Sequence, residues 1–104
     1  MNKRLQMLLQ ITQTDAGDAF AWYGLAMEYR RVGQTEDALR TFETLRSTFP
    51  DYLAGYLMAG QVLIEAERSS DAVVWIEQGI ALAEKQGNQQ ALGELQDALS
   101  QAQN

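Results

Sequence analysis

Two residue types are missing from the 104-residue chain: cysteine and histidine. Without cysteine there is no disulfide, no thiol nucleophile and no thiolate ligand for a metal. Without histidine there is no imidazole base and no imidazole ligand. Proline occurs once, at Pro50, so little interrupts long helices. No alternating Val/Ile/Thr run bounded by Asn-Gly or Asp-Gly marks a strand. No glycine-rich phosphate loop is present, because Gly55 and Gly60 fall inside a helical segment. Long apolar runs are also missing. Met7-Leu8-Leu9 is too short for the core of a signal peptide, and no stretch approaches the roughly 20 apolar residues of a membrane span. These absences predict no metal, no cofactor, no membrane association and a cytoplasmic location. Basic residues are scarce: eight Lys/Arg stand against fourteen Asp/Glu, a net charge of −6. Residues 1–52 hold six Lys/Arg and seven Asp/Glu, whereas residues 53–104 hold two and seven. Binding a phosphate backbone needs a basic stripe. Only the pairs Lys3-Arg4 and Arg30-Arg31 are available, so nucleic acid is not an expected partner.

What is present is apolar residues at helical spacing. Hydrophobic residues make up 46% of the chain, enough for one modest core. Displaced by 34 residues, the sequence matches itself: Trp22 falls on Tyr56, Leu25 on Ala59, Ala26 on Gly60, and Tyr29 on Leu63. Asp37-Ala38-Leu39 falls on Asp71-Ala72-Val73, and Phe42 on Ile76. Trp22, Leu25, Ala26 and Tyr29 recur at three- and four-residue steps, which is one stripe of a helix. Arg30-Arg31 and then Gly33 end that helix, with cations at its negative pole and glycine at the left-handed position. Thr35 is expected to cap the next helix, Asp51 the third, and Ser69 or Ser70 the fourth. Six helices follow, near 3–13, 18–32, 35–49, 52–66, 69–86 and 88–102, and the fold class is all-α.

The 34-residue helix–turn–helix pattern resembles the tetratricopeptide repeat (TPR). In the first repeat the family's slots hold Trp22, Leu25, Ala26, Tyr29, Gly33, Ala38, Phe42 and Pro50, and only Leu45 departs from the usual alanine. The second repeat has Tyr56, Ala59, Gly60, Leu63, Ala72, Ile76 and Gly79. Glu67 stands there in place of the turn glycine, and Glu84 in place of the proline, so the turn is expected either to be strained or to change its shape, and the fourth helix to run on to Gln86. The resemblance implies a right-handed α-solenoid forming a single domain, 1–104. Its expected parts are an N-terminal helix in 1–17, repeats at 19–52 and 53–86, and a capping helix in 87–104. Both ends look finished, so a complete small protein is expected.

The carboxylate pairs Glu36/Asp37, Glu65/Glu67 and Glu94/Asp97 sit at helix ends or on polar faces. Acid–base catalysis needs two environments that separate the pKa values, and nothing in the sequence supplies them. A noncatalytic protein is therefore expected. The candidate site is instead a second stripe, Tyr23, Met27 and Arg30, bordered by Phe20 and Arg31. Leu57, Gln61, Ile64 and Glu65 stand at the corresponding positions of the second repeat. The resemblance implies that first helices line a concave surface that binds protein or peptide. Some relatives clamp a chaperone's C-terminal carboxylate with lysine and asparagine, but those slots here hold Tyr23 and Met27, and residues 88–99 lack Lys and Arg. The alternative function is homo-oligomerisation, a homodimer burying the groove or the Trp75 surface. In Val73-Val74-Trp75-Ile76, Val73 and Ile76 are the expected core pair, while Trp75 either packs under the last helix or marks a dimer contact.

Overall fold

A computed structural model describes residues 2–104. Among them are six α-helices: α1 (Lys3–Thr14), α2 (Ala19–Arg31), α3 (Thr35–Thr48), α4 (Leu53–Glu65), α5 (Ser69–Gln86) and α6 (Gln89–Gln103). Each boundary falls within one residue of the range expected from periodicity, and no strand occurs among the described residues. The chain divides into two compact units, Met1–Tyr52 and Leu53–Asn104.

In the first unit α2 packs on α3, and α1 on α2. Ala26, Ala38 and Phe42 are fully buried, with Leu25 and Leu45 nearly so. Two alanines at the contact let the helix axes approach, and Phe42 fills the space beside them. Trp22 and Tyr29 are only half-buried. The Trp22 indole N–H donates to the Ala16 carbonyl at 3.0 Å, tying the α1–α2 connection to α2. Thr12 and Thr41 are buried, but their hydroxyls donate back to the carbonyls of Leu9 and Asp37.

The turns carry the repeat down to single hydrogen bonds. After α2, the N–H of Gly33 donates to Arg30 and that of Gln34 to Tyr29. After α4, Glu67 donates to Ile64 and Arg68 to Leu63, the same two bonds 34 residues on. This geometry needs a left-handed residue, and Gly33 adopts φ +81°. Glu67 is held at φ +59° although it carries a Cβ. The capping expectations for α3 and α5 are corrected. Thr35 and Ser69 are the first helical residues, while Gln34 and Arg68 occupy the cap positions without a side-chain cap bond. Acidic first turns stand in their place, with Glu36 and Asp37 on α3 and Asp71 on α5 facing the positive pole.

In the second unit α4, α5 and α6 all touch one another. The buried positions of α5 are Ala72, Trp75, Ile76, Gly79 and Ala83. That register places Trp75 rather than Val73 beside Ile76 in the core. Trp75 is 8% exposed, and its ring lies 6.1 Å from that of Tyr56, whereas Val74 faces outward. A Trp75 dimer surface is thereby removed. The fourth helix of the repeats, α5, runs on to Gln86 and ends at left-handed Gly87. Asn88 then caps α6 by accepting the Ala91 N–H at 3.0 Å.

At Gly79 the approach is close on two sides: a Cβ would stand 2.9 Å from Tyr56 Cβ and 2.8 Å from Leu95 Cδ2. Alanine gains about 1 kcal/mol of helix propensity over glycine, but overpacking costs about 1–3 kcal/mol, and a Cβ bonded to backbone cannot rotate away. Gly79→Ala is therefore expected to lower stability in urea titration. Gly93→Ala on α6, with open space around its Cβ, should raise it by up to about 1 kcal/mol.

Glu67→Gly is expected to stabilise the second unit. It relieves about 1–2 kcal/mol of left-handed strain and loses about 0.5–1 kcal/mol to unfolded-state entropy. Thermal melts of the two proteins measure the difference.

Candidate recognition surface

Helix α2 turns about 100° per residue, so its residues divide into two faces. Leu25, Ala26 and Ala21 point into the first unit and are buried. Phe20, Tyr23, Met27 and Arg30 share the opposite arc. Phe20 is 71% exposed, the most exposed large apolar side chain among the described residues, and Tyr23, Met27 and Arg30 are half-buried. Tyr23 packs its ring against Tyr52, centroids 5.5 Å apart and planes tilted by 46°. Burial pushes the Tyr23 hydroxyl's pKa up, and nearby Arg30 opposes the shift. Burial also raises that of Tyr52, with Tyr23 and Asp18 adding to it. Both phenols stay neutral at physiological pH and present O–H groups that donate and accept. The stripe is thus an aromatic and thioether surface with one cation beside it.

The edge of this stripe holds a feature that sequence reading missed. Glu28 is 3% exposed and is approached by three groups. Arg31 Nη2 donates to its Oε2 at 2.5 Å, Asn2 Nδ2 to the same oxygen at 2.6 Å, and Arg4 Nε lies 3.4 Å from Oε1. Asn2 also caps α1, its Oδ1 accepting the Leu5 N–H at 3.1 Å. One carboxylate therefore fastens the start of α1 to the end of α2. Arg31, expected at the border of the candidate site, is engaged by Glu28. The sequence does hold a signal, Glu28 three residues before Arg31 on one helix, but the partners Asn2 and Arg4 come from another helix.

The hydrogen bonds from Arg31 and Asn2 hold the Glu28 carboxyl down to about 2, from an ordinary 4.5. The folded pKa is depressed, so the stabilisation is fully present above pH 4.5 and is lost as pH falls toward 2. Glu28→Gln should be less stable than the parent at neutral pH, and the gap should close as pH falls from 4.5 to 2. Denaturant titrations at several pH values check this, because the difference between the two proteins cancels every other carboxylate.

The second-unit residues fall differently. Leu57 is 8% exposed, Gln61 and Ile64 are half-buried, and Glu65 is exposed. Leu57 is covered because α6 runs along α4, a contact that pairwise self-comparison of the repeats does not reveal. Two recesses lie between these helices. One, about 250 Å³, is bordered by Leu53, Leu57, Met58, Ala91 and Glu94 among others. The other, about 200 Å³, is bordered by Gln61, Glu94, Asp97 and Gln101.

Paired helices with small residues at the crossings, repeated at 34 residues, define a helix-hairpin repeat protein. A tetratricopeptide repeat model matches residues 19–62. A tetratricopeptide repeat domain protein from Salinibacter ruber is 38% identical, with a TM-score of 0.77 over 84% of this chain and 98% of its own. The chain belongs to the tetratricopeptide repeat family. The TPR2B domain of yeast Sti1, solved in a complex with pHsp70, superposes with a TM-score of 0.89 at 11% identity, covering 95% of this chain and 79% of that one. A Bordetella parapertussis protein gives 0.82 at 22% identity, covering 98% and 89%. These two share the fold. No curated protein gives a match. Repeats of this family are generally noncatalytic protein-interaction scaffolds. No helix among the described residues is long and apolar enough to cross a membrane.

Proposed function

We propose that residues 1–104 act as one noncatalytic module that recognises a protein or peptide partner, in the cytoplasm. The observation that carries this reading is Phe20, 71% exposed on the helix face it shares with Tyr23, Met27 and Arg30. Exposing a phenylalanine costs solvation free energy that burial in an interface recovers. Aromatic and arginine side chains are enriched at binding hot spots, and methionine adapts to varied partners. Arg31 borders this face, and Leu57, Gln61, Ile64 and Glu65 are the corresponding residues of the second unit. The pHsp70 complex of the Sti1 domain supports the reading at the level of fold, since that protein uses the same architecture to hold a partner. Self-association is the second reading, favoured by the exposure of Phe20 together with Met7 at 50%.

Phe20→Ala and Met27→Ala should shift stability by about 0.5 kcal/mol or less, as surface changes do. Tyr23→Ala should cost about 1 kcal/mol because it also removes the ring contact with Tyr52. Each should weaken a captured partner by about tenfold or more, the cost of losing an interfacial anchor. Melting curves run beside a binding titration read both quantities. Normal binding by all three variants counts against this surface. Concentration-dependent light scattering that Phe20→Ala abolishes would favour self-association instead.

A further inference from the structure

We propose that the cleft between α4 and α6 binds an extended segment of a partner protein carrying an apolar side chain and, two residues away, a lysine or arginine. The inference rests on the recognition role proposed above and gives it a chemistry. The cleft has two ends of different character. Leu57, Met58 and Ala91 border a recess of about 250 Å³. Gln61, Asp97 and Gln101 border one of about 200 Å³, and Glu94 touches both. Small-molecule sites span roughly 300–1,000 Å³, so each recess suits a single side chain rather than a cofactor.

The spacing follows from the helices. On α4 and on α6 alike, the acidic recess lies five to six residues beyond the apolar one toward the C-terminus. At about 1.5 Å of rise per residue the two centres are about 8 Å apart. An extended peptide returns a side chain to the same face every second residue, about 6.6 Å on, and the length of a lysine or arginine closes the rest. Because α6 already covers Leu57, the apolar recess exists before a partner arrives, which lowers the ordering cost of binding.

Charge selects the second side chain. Other carboxylates have cations at hand: Glu28 has Arg31, Asp37 has Arg40, and Asp71 has Arg68. Among the described residues neither Glu94 nor Asp97 is in an ion pair. Arg68 and Lys85 are the only Lys or Arg in residues 53–104, against seven Asp/Glu. A cation brought between Glu94 and Asp97 is attracted by both, and an anion is repelled by both.

The test is selection of a random peptide library on the whole chain, followed by titration of the winners. Enrichment of an apolar residue with Lys or Arg two positions away is expected. The winning peptides should shift the amide resonances of Ala91 and Ala98. Glu94→Gln combined with Asp97→Asn should bind them about tenfold more weakly at unchanged melting temperature, and added salt should weaken the parent more than this variant. Winners that are acidic or without charge preference, or equal binding by the double variant, overturn the inference. Shifts confined to Phe20, Tyr23 and Met27 also overturn it while leaving the recognition role intact. A library that yields no binder, or a chain that only self-associates, overturns both.

Discussion

The distance between paired helices governs everything else in this chain. A Cβ at Gly60 would stand 2.6 Å from Ile76 Cγ1, and one at Gly79 would meet both Tyr56 and Leu95. Ala26, Ala38, Ala59 and Ala72 show no exposed surface at all. Such small residues bury little apolar area themselves, so they contribute little by transfer free energy. Their effect is geometric: they bring backbones close enough for Phe42, Leu63, Ile76 and Leu95 to be enclosed on all sides. The large residues supply the stabilisation, and the small ones decide whether it can be realised. On α2 the tight crossing uses one face, which leaves Phe20 exposed and Met27 half-buried on the other.

The two terminal helices are held by different physics. Helix α6 is seated by Leu95, Ala98 and Ala102, buried positions spaced three and four apart. Helix α1 buries only Leu8 and Thr12, although Leu8 approaches Gly24 within about a methyl contact. Much of its attachment comes from Glu28, Asn2, Arg4 and Arg31. Hydrophobic seating is indifferent to pH, whereas a carboxylate with donors on both oxygens is not. The attachment of α1 in the first unit is therefore acid-sensitive.

The fold was legible because its determinants are local and repeated. Trp22 to Tyr29 and Phe42 reappear with size-matched partners at a fixed period, and left-handed Gly33 and Glu67 occupy equivalent turn positions. What escaped was either decided by a competing interaction or set by distant residues. Thr35 and Ser69 resemble caps, but the helices begin one residue earlier than that role requires, and acidic first turns answer the dipole instead. Trp75 and Val73 both suit a core by composition, and only the register of Ala72, Ile76 and Gly79 separates them. The Glu28 cluster joins residues 26 positions apart and left no periodic trace. Of the candidate site, the Tyr23, Met27 and Arg30 stripe was readable as a helical face. The covering of Leu57 was not, because it depends on where α6 lies.

That covering gives the second unit a surface chemistry unlike the first. Around α2, Arg31 at the stripe's edge is engaged by Glu28, so the stripe offers aromatic rings and a thioether with Arg30 as the cation among them. Around α4, the apolar Leu57 is already enclosed, and the polar rim contributed by α6 is acidic. An apolar surface contributes affinity with little discrimination, whereas paired carboxylates contribute modest affinity and strong discrimination by sign. A basic clamp for a partner's carboxylate would need cations on α6, and α6 has none. Helix α6 carries Glu94 and Asp97 and no cation, so the field along it attracts positive groups and repels negative ones.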